Sequence, residues 1–206
     1  KKLKEKGYLT FICSGRAPYY AKTMFENFVS GYIGCNGRYI EYNGEMLHGE
    51  KLSKDELNYY TKLFDKIKCG CMLVSKEICS PFNLSDKEVN KLINEYGKER
   101  IHPRDENIDY YTFDIMYKDL KQRDRIIEAL NDKVIFNDHR GNGSGDCSTK
   151  CFDKGSAISF ILNYFNIDKD NAYAFGDGYN DQAMFREVNN RIAMGNGVDV
   201  LKRKAT

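Results

Sequence analysis

The sequence predicts an α/β fold interrupted by a smaller α+β module, and three observations carry that prediction. Short apolar strands alternate with amphipathic helices along most of the chain. A glycine-rich acidic string, Phe175-Gly176-Asp177-Gly178-Tyr179-Asn180-Asp181-Gln182-Ala183-Met184, stands where a strand ends and a helix begins. A flexible loop, Gly141-Asn142-Gly143-Ser144-Gly145, offers a hinge or boundary. On these signals residues 1–52 and 140–206 form one discontinuous α/β domain, and residues 53–139 form the inserted module.

The elements follow in order. Lys1-Lys2-Leu3-Lys4-Glu5-Lys6-Gly7 reads as the last turns of a helix, basic at its end and closed by glycine. No initiating Met precedes it, so the chain is expected to be a fragment with a segment upstream. Residues 8–13 form an apolar, β-branched strand, and Ser14-Gly15-Arg16 is a sharp turn. Pro18 opens a helix through residue 29, and residues 32–35 form a second strand ending at Asn36-Gly37. Residues 39–42 and 45–47 flank Asn43-Gly44, the signature of a type I′ hairpin.

Ser53 with Glu56, and Ser85 with Glu88, form capping boxes at two helix starts. Between and beyond them the pattern predicts strands over 71–75, 111–117 and 133–137, with helices over 85–96 and 121–131. After the glycine-rich loop, Lys154-Gly155-Ser156-Ala157 begins an amphipathic helix with Ile158, Ile161, Leu162 and Phe165 on one side. Residues 171–175 and 191–194 are strands, with a helix over 182–188 between them.

Composition narrows the function classes. There are 206 residues, and 32 basic groups against 30 acidic ones leave a net charge of +2, which gives no reason to expect nucleic acid or a membrane surface as partner. No apolar run is long enough to span a bilayer. Seven cysteines, an odd number without a regular framework or secretory signal, predict reduced thiols and a cytoplasmic location. Cys69 and Cys71 lie too close for a zinc knuckle, and His48, His102 and His139 are isolated from one another and read as surface or loop residues.

The acidic string carries the chemistry. Two carboxylates four residues apart, Asp177 and Asp181, make a hard-oxygen site at a strand end, where open α/β sheets bind ligands. Mg²⁺ accepts such oxygens and keeps positions for water and phosphate. Gly176 and Gly178 allow close backbone approach, and the Asn180 amide can donate to a phosphoryl oxygen without adding charge. Taken alone, an Asp-Gly pair would more often be a helix-capping turn.

The string resembles the fourth motif of the haloacid dehalogenase superfamily, Gly-Asp-Gly-x-Asn-Asp-x-x-Met. Phe11-Ile12-Cys13-Ser14-Gly15-Arg16 resembles the second motif, and Lys154-Gly155-Ser156-Ala157 the third. Asn36-Gly37 and Met194-Gly195-Asn196-Gly197 are similar to two further turns of the Cof-type phosphatase branch. The resemblance implies a Rossmann-like, doubly wound parallel-sheet core, its first strand absent from this chain, with an inserted α+β cap that closes over the site. It implies that Ser14 and Gly15 bind the phosphoryl group and that Asn180 touches it. Lys154 neutralises the charge shared by phosphate and nucleophile, and Asp177 and Asp181 hold Mg²⁺, Asp181 directly or through water. Lys154 and Asp181 are then the catalytic residues within the chain.

The departure lies in the first motif. The family places Asp-x-Asp after its first strand, as nucleophile and acid/base, and no Asp-x-Asp here follows an apolar strand. Asp168-Lys169-Asp170 lies in a polar turn before a strand, so both aspartates are expected upstream of Lys1 and the chain alone is expected to be inactive. The function implied is an Mg²⁺-dependent phosphatase of small phosphomonoesters such as sugar phosphates, nucleotides or pyridoxal phosphate, working as monomer or homodimer. The alternatives are a phosphosugar mutase or narrow sugar-phosphate phosphatase, and a non-catalytic phosphate-binding remnant.

Overall fold

The computed structural model describes residues 2–26, 28–130, 133–149 and 151–206. Helix α1 (Lys2–Glu5) is followed by Gly7 at φ 82°, and β1 (Phe11–Cys13) leads through the Ser14–Arg16 turn into α2 (Pro18–Phe25). Strand β2 (Gly31–Gly34) pairs parallel with β1, and then antiparallel with β3 (Tyr39–Tyr42). Strand β4 (Glu45–Gly49) completes this four-stranded sheet. Between β3 and β4, Asn43 and Gly44 take φ of 49° and 88°, as a type I′ turn requires. Helix α2 stops at Phe25 rather than at residue 29.

The next segment builds an antiparallel sheet. Helix α3 (Lys54–Lys66) starts at Ser53, whose hydroxyl accepts from Glu56 N at 3.2 Å while Glu56 Oε2 accepts from Ser53 N at 2.8 Å. Strands β5 (Gly70–Ser75) and β6 (Cys79–Phe82) follow. Helix α4 (Asp86–Tyr96) is capped in the same way by Ser85 and Glu88. Strand β7 (Tyr110–Met116), α5 (Leu120–Leu130), β8 (Val134–Asp138) and β9 (Ser144–Thr149) finish the unit, with strand order β6-β5-β7-β9-β8.

The glycine-rich stretch at 141–145 is therefore the turn and first residues of the β8–β9 hairpin, inside this sheet. The boundary expected between 139 and 140 would cut that hairpin, and the sheet continues to Thr149. Strand β9 carries no apolar alternation because one of its faces meets the cleft described below.

One face of this sheet is packed along its length and the other is packed over part of its width, which is why β5 and much of β7 read as apolar runs. On one face Leu73, Phe113 and Ile115 pack with Phe64, Ile126 and Leu130 from α3 and α5. Full burial of such side chains contributes roughly 1.5–3 kcal/mol each. On the other face Met72 and Val74 pack with Leu92 of α4 and with Ala17, Tyr19 and Tyr39 of the first sheet's segment. That second cluster joins the two sheets.

The chain then returns through α6 (Lys154–Tyr164), β10 (Tyr173–Gly176), α7 (Gln182–Glu187), β11 (Asn190–Ala193) and α8 (Asp199–Lys202). Strands β10 and β11 pair parallel. Ala157 and Ile161 of α6 pack on Ile33 and Ile40, while Met184 and Phe185 of α7 pack with Ala174, Val188 and Leu201. The result is a mixed α/β fold containing two parallel strand pairs, as the alternation of elements predicts. Among the described residues no helix is long and apolar enough to cross a membrane.

Candidate functional site

Turns at strand ends bring the site together. After β1, Ser14 N donates to Ile33 O at 2.8 Å, and Ser14 Oγ accepts from Arg16 N at 3.1 Å, which closes the turn around Gly15. A Cβ added at Gly15 would lie 2.7 Å from Asp146 Oδ2 and 3.1 Å from the Asn36 amide. A side chain there would have to push the Asp146 carboxylate aside. After β2, Asn36 adopts φ 53°, and Gly37 at φ 99° passes so close to Asp153 O that a side chain has no room. This contact ties the second turn to the start of α6.

Helix α6 begins at Lys154, one residue after its N-cap Asp153. Lys154 is buried, and its Nζ donates to Asp181 Oδ1 at 2.6 Å. Burial opposes the ammonium charge, yet Cys13 and Asp181 outweigh it and raise the Lys154 pKa. Burial pushes the Cys13 thiol itself up to about 12, so it is neutral at pH 7 and the Asp181 carboxylate keeps Lys154 charged.

The other Asp181 oxygen accepts from Asp177 N at 2.8 Å and Gly178 N at 2.9 Å. Asp181 is thus fully engaged in shaping the acidic turn and holding Lys154. Asp177 differs. Its side chain is half exposed; Asn196 Nδ2 donates to its Oδ2 at 3.2 Å, and Arg140 lies 3.8 Å away.

Asn180 makes two side-chain bonds, with Nδ2 donating to Asp146 Oδ2 at 2.8 Å and to Asn36 Oδ1 at 3.2 Å. Its amide is held by both bonds. Ser14, Gly15, Lys154 and Asn180 line one cleft of about 590 Å³ that runs toward the antiparallel sheet. Asp177 does not line it; it lies in an adjoining hollow of about 330 Å³ that shares Asn180, Asp146 and His139 with the cleft.

These residues fit an Mg²⁺ held sparingly by protein. Among the described residues there is no group of three or more His, Cys, Asp or Glu able to enclose a metal. One exposed carboxylate, Asp177, is available, and Mg²⁺ commonly uses one or two carboxylates with waters and substrate phosphate.

Several cleft residues escape the sequence reading. Asp146 and Asp114 sit on β9 and β7 and face the cleft, but no motif marks them. His139, expected as a surface or loop residue, also lines it, 3.6 Å from Asp146, and that carboxylate raises its pKa. By contrast Asp168 and Asp170 stay in a surface turn, where Asp168 Oδ1 accepts from Asp170 N at 2.9 Å. Their letters carry no site.

The model of the haloacid dehalogenase-like hydrolases matches residues 1–206. Among curated proteins, the phosphoglycolate phosphatase of Methanobrevibacter smithii is 24% identical over all of this chain and 79% of its own length. The 5-amino-6-(5-phospho-D-ribitylamino)uracil phosphatase YwtE of Bacillus subtilis is also 24% identical, over all of this chain and 82% of its own. Among solved structures, a haloacid dehalogenase-like hydrolase from B. subtilis superposes with a TM-score of 0.83 at 16% identity, covering 99% of this chain and 83% of the other. The subclass IIB sugar phosphatase BT4131 gives 0.80 at 20% identity, covering 99% and 80%.

Proposed function

Because the chain belongs to the haloacid dehalogenase-like hydrolases, we propose that it is the larger part of an Mg²⁺-dependent phosphatase of small phosphomonoesters. The observation that carries this reading is the shared cleft of Ser14, Gly15, Lys154 and Asn180, with Asp177 in the adjoining hollow. Phosphoryl transfer needs placement of the phosphorus and neutralisation of its equatorial oxygens more than covalent chemistry from side chains. Ser14 Oγ and the Gly15 N–H orient the phosphoryl group. Lys154, held charged by Asp181, supplies a fixed positive charge in a buried setting. Mg²⁺ on Asp177 would add a second, while Asp181 would meet it through water, since its own oxygens are taken.

No Asp-x-Asp follows a strand in these 206 residues, so this reading assigns the nucleophile and the acid/base to sequence outside them. The pairs β1–β2 and β10–β11 form separate ladders with Ser14 and Asp177 beyond their ends. A strand carrying Asp-x-Asp beside those ladders would let its first carboxylate attack the phosphorus and break the bond to the leaving alcohol, which the second Asp would protonate. Water activated by that second Asp would then hydrolyse the aspartyl-phosphate to free carboxylate and inorganic phosphate. The antiparallel sheet with α3, α4 and α5 acts as a cap that excludes water and meets the leaving group. Reduced thiols and a cytoplasmic location accord with this role.

The full-length protein should hydrolyse p-nitrophenyl phosphate with Mg²⁺ and lose that activity in excess EDTA. Asp177→Ala should lower kcat by roughly a hundredfold or more. Undiminished turnover in EDTA would refute the metal assignment, and no turnover under any condition would favour a phosphate-binding remnant.

A further inference from the structure

Asp114 and Asp146 are register partners on the antiparallel strands β7 and β9, so their side chains stand next to each other on one sheet face. That face is the cleft wall. The two residues are 9% and 7% exposed, and Oδ1 of each is buried without a hydrogen-bond partner. Across the sheet the row runs Met72, Asp114, Asp146, Asn137. Asn137, the other register partner of Asp146, also has a buried Nδ2 without a hydrogen-bond partner. Asp114 has only Met72 on its other side.

Two buried carboxylates side by side are costly, through mutual repulsion and through lost hydration. A hydrophobic or amide residue at 114 would make a more stable sheet. The pair therefore calls for a partner that enters the cleft.

The charge of the cleft says which kind. Glu88 and Glu95 on α4 also line the cleft, but Glu88 is held by its cap Ser85 and Glu95 by Arg16, which leaves Asp114 and Asp146 as the unanswered carboxylates. Arg16 is committed to Glu95 at 2.8 Å and lies over the rings of Tyr20 and Tyr96. Lys91 and His139 are the other bases on the wall, and His139 faces Asp146 rather than Asp114. A hydroxyl could answer the unpaired oxygens but would leave the paired negative charge. An ammonium answers both, with three donors and a full charge. Arg16 Nη1, also buried and unpaired, supplies a donor for an oxygen on the same guest.

We infer that Asp114 and Asp146 form a subsite for a positively charged nitrogen on the leaving alcohol, so that the cleft takes amine-bearing phosphomonoesters in preference to neutral or carboxylate-bearing ones. The inference rests on the phosphatase reading and names the substrate class for that same site. Burial, and then Asp146, push Asp114 up to about 7, against the opposing pull of His139 and Arg16. A bound ammonium relieves that state directly. A carboxylate-bearing ester such as phosphoglycolate would add a third negative charge to the same wall.

The test uses a matched pair, glucosamine 6-phosphate and glucose 6-phosphate, which differ by an ammonium in place of one hydroxyl. With the full-length protein and Mg²⁺, kcat/KM should favour the amine by roughly ten- to a hundredfold. Asp114→Asn, which keeps the shape and removes the charge, should bring the ratio to within about threefold of one. Calorimetric titration of both esters into the wild type and Asp114→Asn carries the same expectation without turnover. Equal or undetectable binding of both esters, or a preference that survives in Asp114→Asn, overturns the subsite. Absence of p-nitrophenyl phosphate hydrolysis is a separate result and would count against the phosphatase reading instead.

Discussion

Replacing Asp114 by Asn should stabilise the protein, and only above acidic pH. Asp114 is 9% exposed, and burial followed by the neighbouring Asp146 lifts its pKa from the ordinary 3.8 to about 7. In the unfolded chain the carboxyl ionises near its ordinary value, whereas in the folded protein it keeps its proton to about pH 7. Between those values the unfolded state has released a proton that the folded state still holds, so wild-type stability falls as pH rises. Each pKa unit corresponds to about 1.4 kcal/mol, which sets a ceiling of about 4 kcal/mol for the full interval. Asn cannot ionise, and its amide can donate to Asp146, so the variant escapes this loss.

The gain over wild type should therefore grow from pH 4 to pH 7 and then level, reaching about 1–3 kcal/mol by pH 8. For a chain of this length that is a rise in Tm of about 2–12 °C. Urea unfolding followed by circular dichroism at pH 5 and pH 8 reads the difference directly. A variant less stable than wild type at pH 8, or a difference that does not change with pH, would refute the reasoning. A residue that weakens the fold while facing a cleft is expected where function, not packing, retains it.

Other perturbations test neighbouring parts of the site. Lys154→Met strands the buried Asp181 carboxylate, and should cost about 3–5 kcal/mol and abolish turnover. Lys154→Met with Asp181→Asn, which removes the stranded charge and keeps an oxygen for the Asp177 and Gly178 amides, should recover much of that stability by chemical denaturation yet remain inactive. Gly37→Ala meets both a φ of 99° and the Asp153 carbonyl, and should lower Tm by roughly 5 °C or more. Gly15→Ala drives a Cβ toward Asp146 Oδ2, and should weaken competitive inhibition by inorganic phosphate about tenfold while the melting temperature falls little.

Much of the fold is legible in the sequence because local chemistry specifies it. The two capping boxes and the Asn43-Gly44 hairpin form as their residues demand. Strands β6 and β9 are not legible, for reasons visible in their residues. Pro81 cannot donate to a ladder, and β6 is accordingly an edge strand. Strand β9, Ser144-Gly145-Asp146-Cys147-Ser148-Thr149, is polar because its cleft face needs Asp146, so the period-2 apolar signal never appears.

The same split holds for the site. Ser14, Gly15, Lys154 and Asn180 stand in short strings whose spacing marks strand ends, and the fold gathers them on one cleft. Asp114 and Asp146 meet only through the register of β7 with β9, which nothing local encodes. Asp177 and Asp181 share one string but not one task. Asp181 turns inward to Lys154 and the backbone, and Asp177 turns outward, because only one of two carboxylates in so tight a turn can accept from its amides.

The most direct measurement is a crystal structure of the full-length protein soaked with Mg²⁺ and orthovanadate. The oxyanion should lie within hydrogen-bond distance of Ser14 Oγ, the Gly15 amide and Lys154 Nζ, with Asp177 on the metal. An oxyanion bound elsewhere, with that cleft filled only by water, would contradict the account.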